Sequence, residues 1–179
     1  SSDLGALSLS FLQFRDTRCA ISNVMFVEND AATGGALFAE FYLYVDIKME
    51  QTHFGDQSLE NPSIQMNHTT FSGNSAVTGG AMELNGVPAL LRNISMEHNR
   101  AEDVGGALAL VGLSVVQVVG GRFHGNEAKS GGALMVRERC VMHCIGCEIT
   151  NNRATENGGG VCIVCLFVEK QPVVFECDA

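Results

Sequence analysis

The sequence predicts an all-β chain wound into a single-stranded parallel β-helix, a solenoid of about six to seven stacked coils. Three observations point there: a Phe-type residue shortly before Asn recurs along the chain, a Gly-Gly pair follows each such Asn, and apolar residues between these motifs alternate. Alternation with a period of two belongs to a strand with one buried face. A helix would repeat about every 3.6 residues, and no such pattern is sustained across a repeat.

The repeat comes first because every element is placed by it. Five segments superpose. Phe26-Val27-Glu28-Asn29 leads to Gly34-Gly35-Ala36-Leu37, Phe71-Ser72-Gly73-Asn74 to Gly79-Gly80-Ala81-Met82, and Met96-Glu97-His98-Asn99 to Gly105-Gly106-Ala107-Leu108. Phe123-His124-Gly125-Asn126 leads to Gly131-Gly132-Ala133-Leu134, and Ile149-Thr150-Asn151-Asn152 to Gly158-Gly159-Gly160-Val161. An Ala stands two residues beyond every Asn, at Ala31, Ala76, Ala101, Ala128 and Ala154. Gly79, Gly105, Gly131 and Gly158 are separated by 26, 26 and 27 residues, close to one β-helical coil. The interval from Gly34 to Gly79 is 45, and a degenerate coil is expected inside it, residues Ile47 to Phe54 aligning with Ile64 to Phe71.

Each part of the coil has a physical reason. Seven residues before the Phe-type position stand Cys19, Ile47, Ile64, Ala89, Val116 and Met142; five before it stand Ile21, Met49, Met66, Leu91, Val118 and Cys144. Both columns are apolar and two apart, so they form the inner face of one strand. Leu37, Met82, Leu108, Leu134 and Val161 open a second inward strand after each Gly pair. The pairs Gly34-Gly35, Gly79-Gly80, Gly105-Gly106, Gly131-Gly132 and Gly158-Gly159 read as corners that need positive φ or an approach too close for a Cβ. Asn29, Asn74, Asn99, Asn126 and Asn152 are expected to stack as a ladder, each tolerating left-handed backbone while its amide bonds the turn and its neighbours above and below. Such a ladder satisfies the buried polar groups of the turn.

The pairing of Phe-x-x-Asn with Gly-Gly-Ala-[Leu/Met/Ile] resembles the repeat of the polymorphic outer-membrane proteins of chlamydiae, and similar repeats in other large bacterial and protist surface proteins. The resemblance covers about residues 20 to 165. It implies a right-handed β-helix displayed outside a cell, at the outer membrane if the source is bacterial, and a part in adhesion. Met96 and Ile149 stand where the pattern has Phe, Gln57 where it has Asn, and Gly160 where it has Ala. The motif is scaffold chemistry, so it says how coils stack and little about what the outer face binds.

Composition narrows the function. A net charge of −9 with scattered Lys and Arg repels phosphate backbones and anionic lipid surfaces, so neither nucleic acid nor membrane surface is an expected partner. No apolar run reaches the ~18 residues of a membrane span. The chain opens Ser1-Ser2-Asp3 without Met, basic region or cleavage pattern, and residues 1–179 are expected to be one segment of a longer surface or secreted protein. Seven Cys and two glycosylation sequons, at Asn67 and Asn93, favour an oxidising, extracellular setting. Both ends of such a segment would leave strand edges open, so solubility is expected to need neighbouring coils, a cap or a partner.

Cys140, Cys144, Cys147, Cys162, Cys165 and Cys177 cluster near the C-terminal end, and Cys144-x-x-Cys147 with Cys162-x-x-Cys165 has zinc-ribbon spacing. The repeat disfavours that reading: Cys144 and Cys147 fall in inward columns, while Cys162 falls in the column of Phe38, Glu83 and Met135, expected to point outward. Buried thiols and one or two disulfides between coils both remain open. No metal or other cofactor is expected. Cys19 is expected to be a core thiol.

Polysaccharide lyases and glycosidases share the pectin-lyase-like architecture, and their chemistry needs carboxylates clustered in equivalent columns of neighbouring coils. Asp30, Asp46, Asp56 and Asp103 occupy different coil positions, and Glu28 and Glu97 are expected to share a column without being adjacent. No catalytic residue is therefore assigned. His98 and His124 are expected to share one outer column, a weak candidate for metal or pH sensing. An ice-binding face would need a Thr column, and only Thr52 and Thr69 recur in one. The expectation is a non-catalytic structural or adhesive module meeting protein or glycan at a cell surface, with a carbohydrate-active, pectate-lyase-like enzyme as the alternative.

Overall fold

The computed structural model describes residues 7–12, 19–42, 64–112, 114–137, 140–164 and 174–178. Among these every regular element is a β-strand, and every pairing is parallel and joins a strand to its equivalent one coil away. The molecule is a parallel β-solenoid with four walls.

Wall 1 stacks Cys19–Ser22, Ile64–Asn67, Ala89–Arg92, Val115–Val119, Val141–Ile145 and Val174–Asp178. Wall 2 stacks Met25–Val27, Thr70–Ser72, Ser95–Glu97, Arg122–His124 and Glu148–Thr150. Wall 3 stacks Asp30–Thr33, Ser75–Thr78, Arg100–Val104, Glu127–Ser130 and Arg153–Asn157. Wall 4 stacks Leu7–Leu12, Leu37–Tyr42, Met82–Asn85, Leu108–Val111, Leu134–Arg137 and Val161–Val164.

Register follows the sequence columns. Cys19, Ile64, Ala89, Val116 and Met142 pair in succession, as do Ile21, Met66, Leu91, Val118 and Cys144. The Phe-type column runs Phe26, Phe71, Met96, Phe123, Ile149, and Phe26 and Phe71 stack with ring centroids 4.9 Å apart. These columns, with Leu37, Met82, Leu108 and Leu134, form one continuous core.

The coil count is smaller than expected. The five strands of walls 2 and 3 are joined by four rung-to-rung steps, about four turns. Residues 47 to 54, read as a degenerate coil, lie outside the described residues, but all four walls pair the Gly34 rung directly with the Gly79 rung. The edges that an intervening coil would occupy are already hydrogen-bonded to each other, so the Gly34 and Gly79 rungs are direct neighbours.

The outer face of wall 4 is also a correction. Glu83, Ala109 and Met135, in the column expected to point to solvent, are buried. Ala109 and Met135 join Val104 in a second, smaller apolar cluster, against which Cys162 and Val164 pack.

Candidate functional site

Three of the corners are each made by one residue in left-handed conformation, and the Gly corner between walls 3 and 4 is buried in all coils but the last. Between walls 1 and 2 that residue is Asn23, His68, Asn93, Gly120 or Gly146, with φ from 49° to 66°. Between walls 2 and 3 it is Glu28, Gly73, His98, Gly125 or Asn151, with φ from 52° to 66°. Between walls 3 and 4 it is the first Gly of each pair. Contrary to the expectation from the sequence, the ladder Asn is not itself left-handed; the residue just before it is.

That placement frees the amide to point inward, where it closes a ladder. Asn74 accepts at Oδ1 from the backbone N–H and the Nδ2 of Asn29, at 3.0 and 2.7 Å. Its own Nδ2 donates to Asn99 Oδ1 at 2.8 Å and to the Phe26 carbonyl at 3.0 Å. Asn99 and Asn126 repeat the pattern, and Asn152 Nδ2 reaches the Phe123 carbonyl. Asn74, Asn99 and Asn126 are buried with both acceptor sites and both donors used. The full bonding capacity of the amide is consumed by the scaffold.

The two Gly of each pair have different reasons. The first carries positive φ at Gly34, Gly79, Gly105, Gly131 and Gly158. A Cβ on the second would overlap the carbonyl oxygen of its equivalent one coil away: Gly35 on Gly80, Gly80 on Gly106, Gly106 on Gly132, Gly132 on Gly159. Gly159 has only the Asn152 carbonyl nearby, at 3.4 Å.

The outer faces carry polar groups that pair across coils. Arg122 bridges Glu97 at 3.4 Å and Glu148 at 3.9 Å, and Lys129 meets Asp103 at 3.9 Å. Arg100, Glu127 and Arg153 follow one another in one column. In the ladder registers of the described residues no carboxylate faces another carboxylate. Asp46 and Asp56 lie outside the described residues. Two expected columns are displaced by one residue: His124 aligns with Glu97 and Ser72, whereas His98 and Glu28 are corner residues in line with Gly73 and Gly125. The His98 and His124 rings still meet edge to face at 5.7 Å, and His124 Nδ1 is 3.0 Å from Thr150 Oγ1. Among the described residues no group of three His, Cys, Asp or Glu side chains could hold a metal.

Of the sequon residues, Asn93 is exposed at a corner, its Nδ2 3.3 Å from His68 Nε2. Asn67 is partly covered, and the hydroxyl of the buried Thr69 donates to its carbonyl. Thr52 lies outside the described residues.

The cysteines divide between two apolar clusters. Cys140 and Cys144 are buried in the main core with Cys19 and Cys147 packed on it, while Cys162 belongs to the outer cluster. Burial raises the Cys19 pKa. Cys147 is lowered to about 7, mainly by a hydrogen bond with the Cys144 thiol, opposed by burial and helped by backbone hydrogen bonds at Gly121 and Ile145. The Cys177 backbone pairs with that of Cys144 in the next coil. Cys165 lies outside the described residues.

Residues 146–164, from the last wall 1 corner through the Gly158-Gly159 corner to the end of wall 4, match the Chlamydia polymorphic membrane protein repeat. Over that stretch the chain is similar to, and the parallel solenoid fits, a repeat of the polymorphic membrane protein type. That type of repeat belongs to a cell-surface or outer-membrane protein family and not to an enzyme family. No curated protein and no solved structure matches the chain. Among the described residues no helix is long and apolar enough to cross a membrane.

Proposed function

We propose that this chain is a non-catalytic display segment of a larger extracellular or surface-anchored protein, with a structural or adhesive role. About four turns at roughly 4.8 Å per rung make a rod near 20 Å long, continued by neighbouring coils of the parent chain. The observation that carries this reading is the division of labour within the coil. Every recurring residue is consumed by the scaffold, the Asn by its ladder and the second Gly by the rung above, while the exposed corner positions hold Glu28, His68, Asn93, His98 and Asn151. Variable polar corners on an invariant rod suit contacts with protein or glycan. Asn93, exposed at one of them, is the better placed of the two sequons for a glycan.

The test is binding and turnover on the same preparation. The immobilised chain is challenged with glycan arrays and extracellular protein extracts, and incubated with polyuronides and mucin-type glycans. Retention of a surface or matrix component without release of reducing ends is the expected result. Sustained product formation would replace this reading with a pectate-lyase-like enzyme.

A further inference from the structure

The corner that holds Cys144 and Cys147 differs from its equivalents. In the other coils the two inward positions flanking the corner between walls 1 and 2 hold Ile21 and Val24, Met66 and Thr69, Leu91 and Ile94, or Val118 and Gly121. In the coil of residues 141–164 both are cysteines. Their thiols are hydrogen-bonded to each other, and Cys144 is buried while Cys147 is partly open. In the rung beneath, Cys147 Sγ lies beside Gly121, where an added Cβ would make only ordinary contact with it at 3.4 Å. On the outer side Gly146, the left-handed corner residue, has nothing within 4 Å of where its Cβ would be. The outer side of the corner is therefore open at Gly146.

We propose that Cys144 and Cys147 are a dithiol pair that closes to a disulfide within this one corner, with Cys147 as the attacking thiol. The oxidant is a small-molecule disulfide of the oxidised-glutathione class. Cys147 loses its proton to solvent and its sulfur attacks one sulfur of the oxidant, forming a mixed disulfide and releasing one thiolate. The Cys144 sulfur, giving up its proton to that thiolate or to water, then attacks Cys147 Sγ and expels the second. Two protein thiols are oxidised by two electrons, and the small disulfide is reduced to two thiols. The order follows from access, since Cys147 is the more open sulfur, and its low pKa supplies thiolate near neutral pH. The competing partner for Cys144 is Cys177, whose backbone lies beside it in the next coil.

The experiment exposes the full, reduced chain to oxidised glutathione, blocks remaining thiols with an alkylating reagent, and maps tryptic peptides by mass spectrometry. Cys140, Cys144 and Cys147 fall in one such peptide, so variants assign the bond, each using a residue that the same column holds elsewhere. Cys140→Ser follows Ser114, Cys144→Val follows Val118, and Cys147→Val follows Val24. The expected result is loss of two hydrogens from that peptide in the wild type and in Cys140→Ser, and no such loss in the other two. Cys144→Val should accumulate a glutathione adduct on Cys147, and Cys147→Val should leave Cys144 unmodified. A cross-link from Cys144 to the Cys177 peptide, an internal disulfide that survives Cys147→Val, or a peptide that stays fully reduced while circular dichroism reports intact β-structure would each overturn the proposal.

Discussion

Asn126 Oδ1 accepts two hydrogen bonds from Asn99, from the backbone N–H at 2.9 Å and from Nδ2 at 3.0 Å, so one side chain satisfies both the main chain and the side chain of the coil before it. Both residues are buried. Replacing Asn99 with Ala would orphan the backbone N–H of Asn74 and one of its two Nδ2 hydrogens, and remove a donor from Phe71's carbonyl. Each buried unsatisfied group costs about 1–3 kcal/mol, so Asn99→Ala is expected to destabilise the chain by on the order of 3 kcal/mol. The measurement is the shift in urea midpoint, and a change under a tenth of that would mean that water replaces the ladder.

Gly106 and Gly159 look equivalent in the repeat and should not behave alike. A Cβ on Gly106 would overlap the Gly132 carbonyl, backbone against backbone, whereas at Gly159 it would meet only ordinary contact. Gly106→Ala is expected to cost more than about 3 kcal/mol and Gly159→Ala less than about 1 kcal/mol. Thermal melts of the two variants side by side distinguish this from a uniform intolerance of Ala in Gly pairs.

The Phe-type column sets a third expectation. Phe71 is fully buried and stacked on Phe26, while Met25, one residue before Phe26, is 69% exposed. Phe71→Ala should lose about 3–5 kcal/mol, and Met25→Ala should lie within about 0.5 kcal/mol of the parent. Equal effects in chemical denaturation would place the core elsewhere.

Cys147 links stability to pH in the reduced protein. Its pKa falls from 9.0 to about 7 on folding, because the folded chain hydrogen-bonds the thiolate. A depressed acid contributes stability that is fully present above its unfolded pKa and is lost as pH falls through its folded one. The urea midpoint should therefore rise between pH 7 and pH 9, and Cys147→Val should flatten that rise. A midpoint that falls over this window in the parent would contradict the assignment.

Some of this architecture was legible in the residues and some was not. Inward columns such as Ile64, Ala89, Val116 and Met142 could be aligned because a buried parallel strand demands an apolar residue at every second position, and the ladder register repeats that demand one coil later. The corners could not, because left-handed backbone accepts Glu28, His98 and Asn151 as well as Gly73 and Gly125, which share no side-chain chemistry. The burial of Met135 and Ala109 also escaped, since an outward column is read as solvent until something covers it. Residues 47 to 54 have strand-like alternation without a ladder Asn or Gly pair, and they lie outside the described residues.

The repeat of Asn, Gly-Gly and alternating apolar residues was enough to dictate a parallel solenoid, because each column can be buried only by stacking on its own equivalent. Which coils are neighbours was a matter for the folded chain: hydrogen bonds between rungs as far apart in sequence as Gly35 and Gly79 choose the partner, and local pattern carries no record of that choice. The same holds for Cys144 and Cys147, whose spacing by itself fits a zinc ribbon while their inward columns fit a buried wall. Their thiols meet because a left-handed residue at Gly146 turns the chain between them.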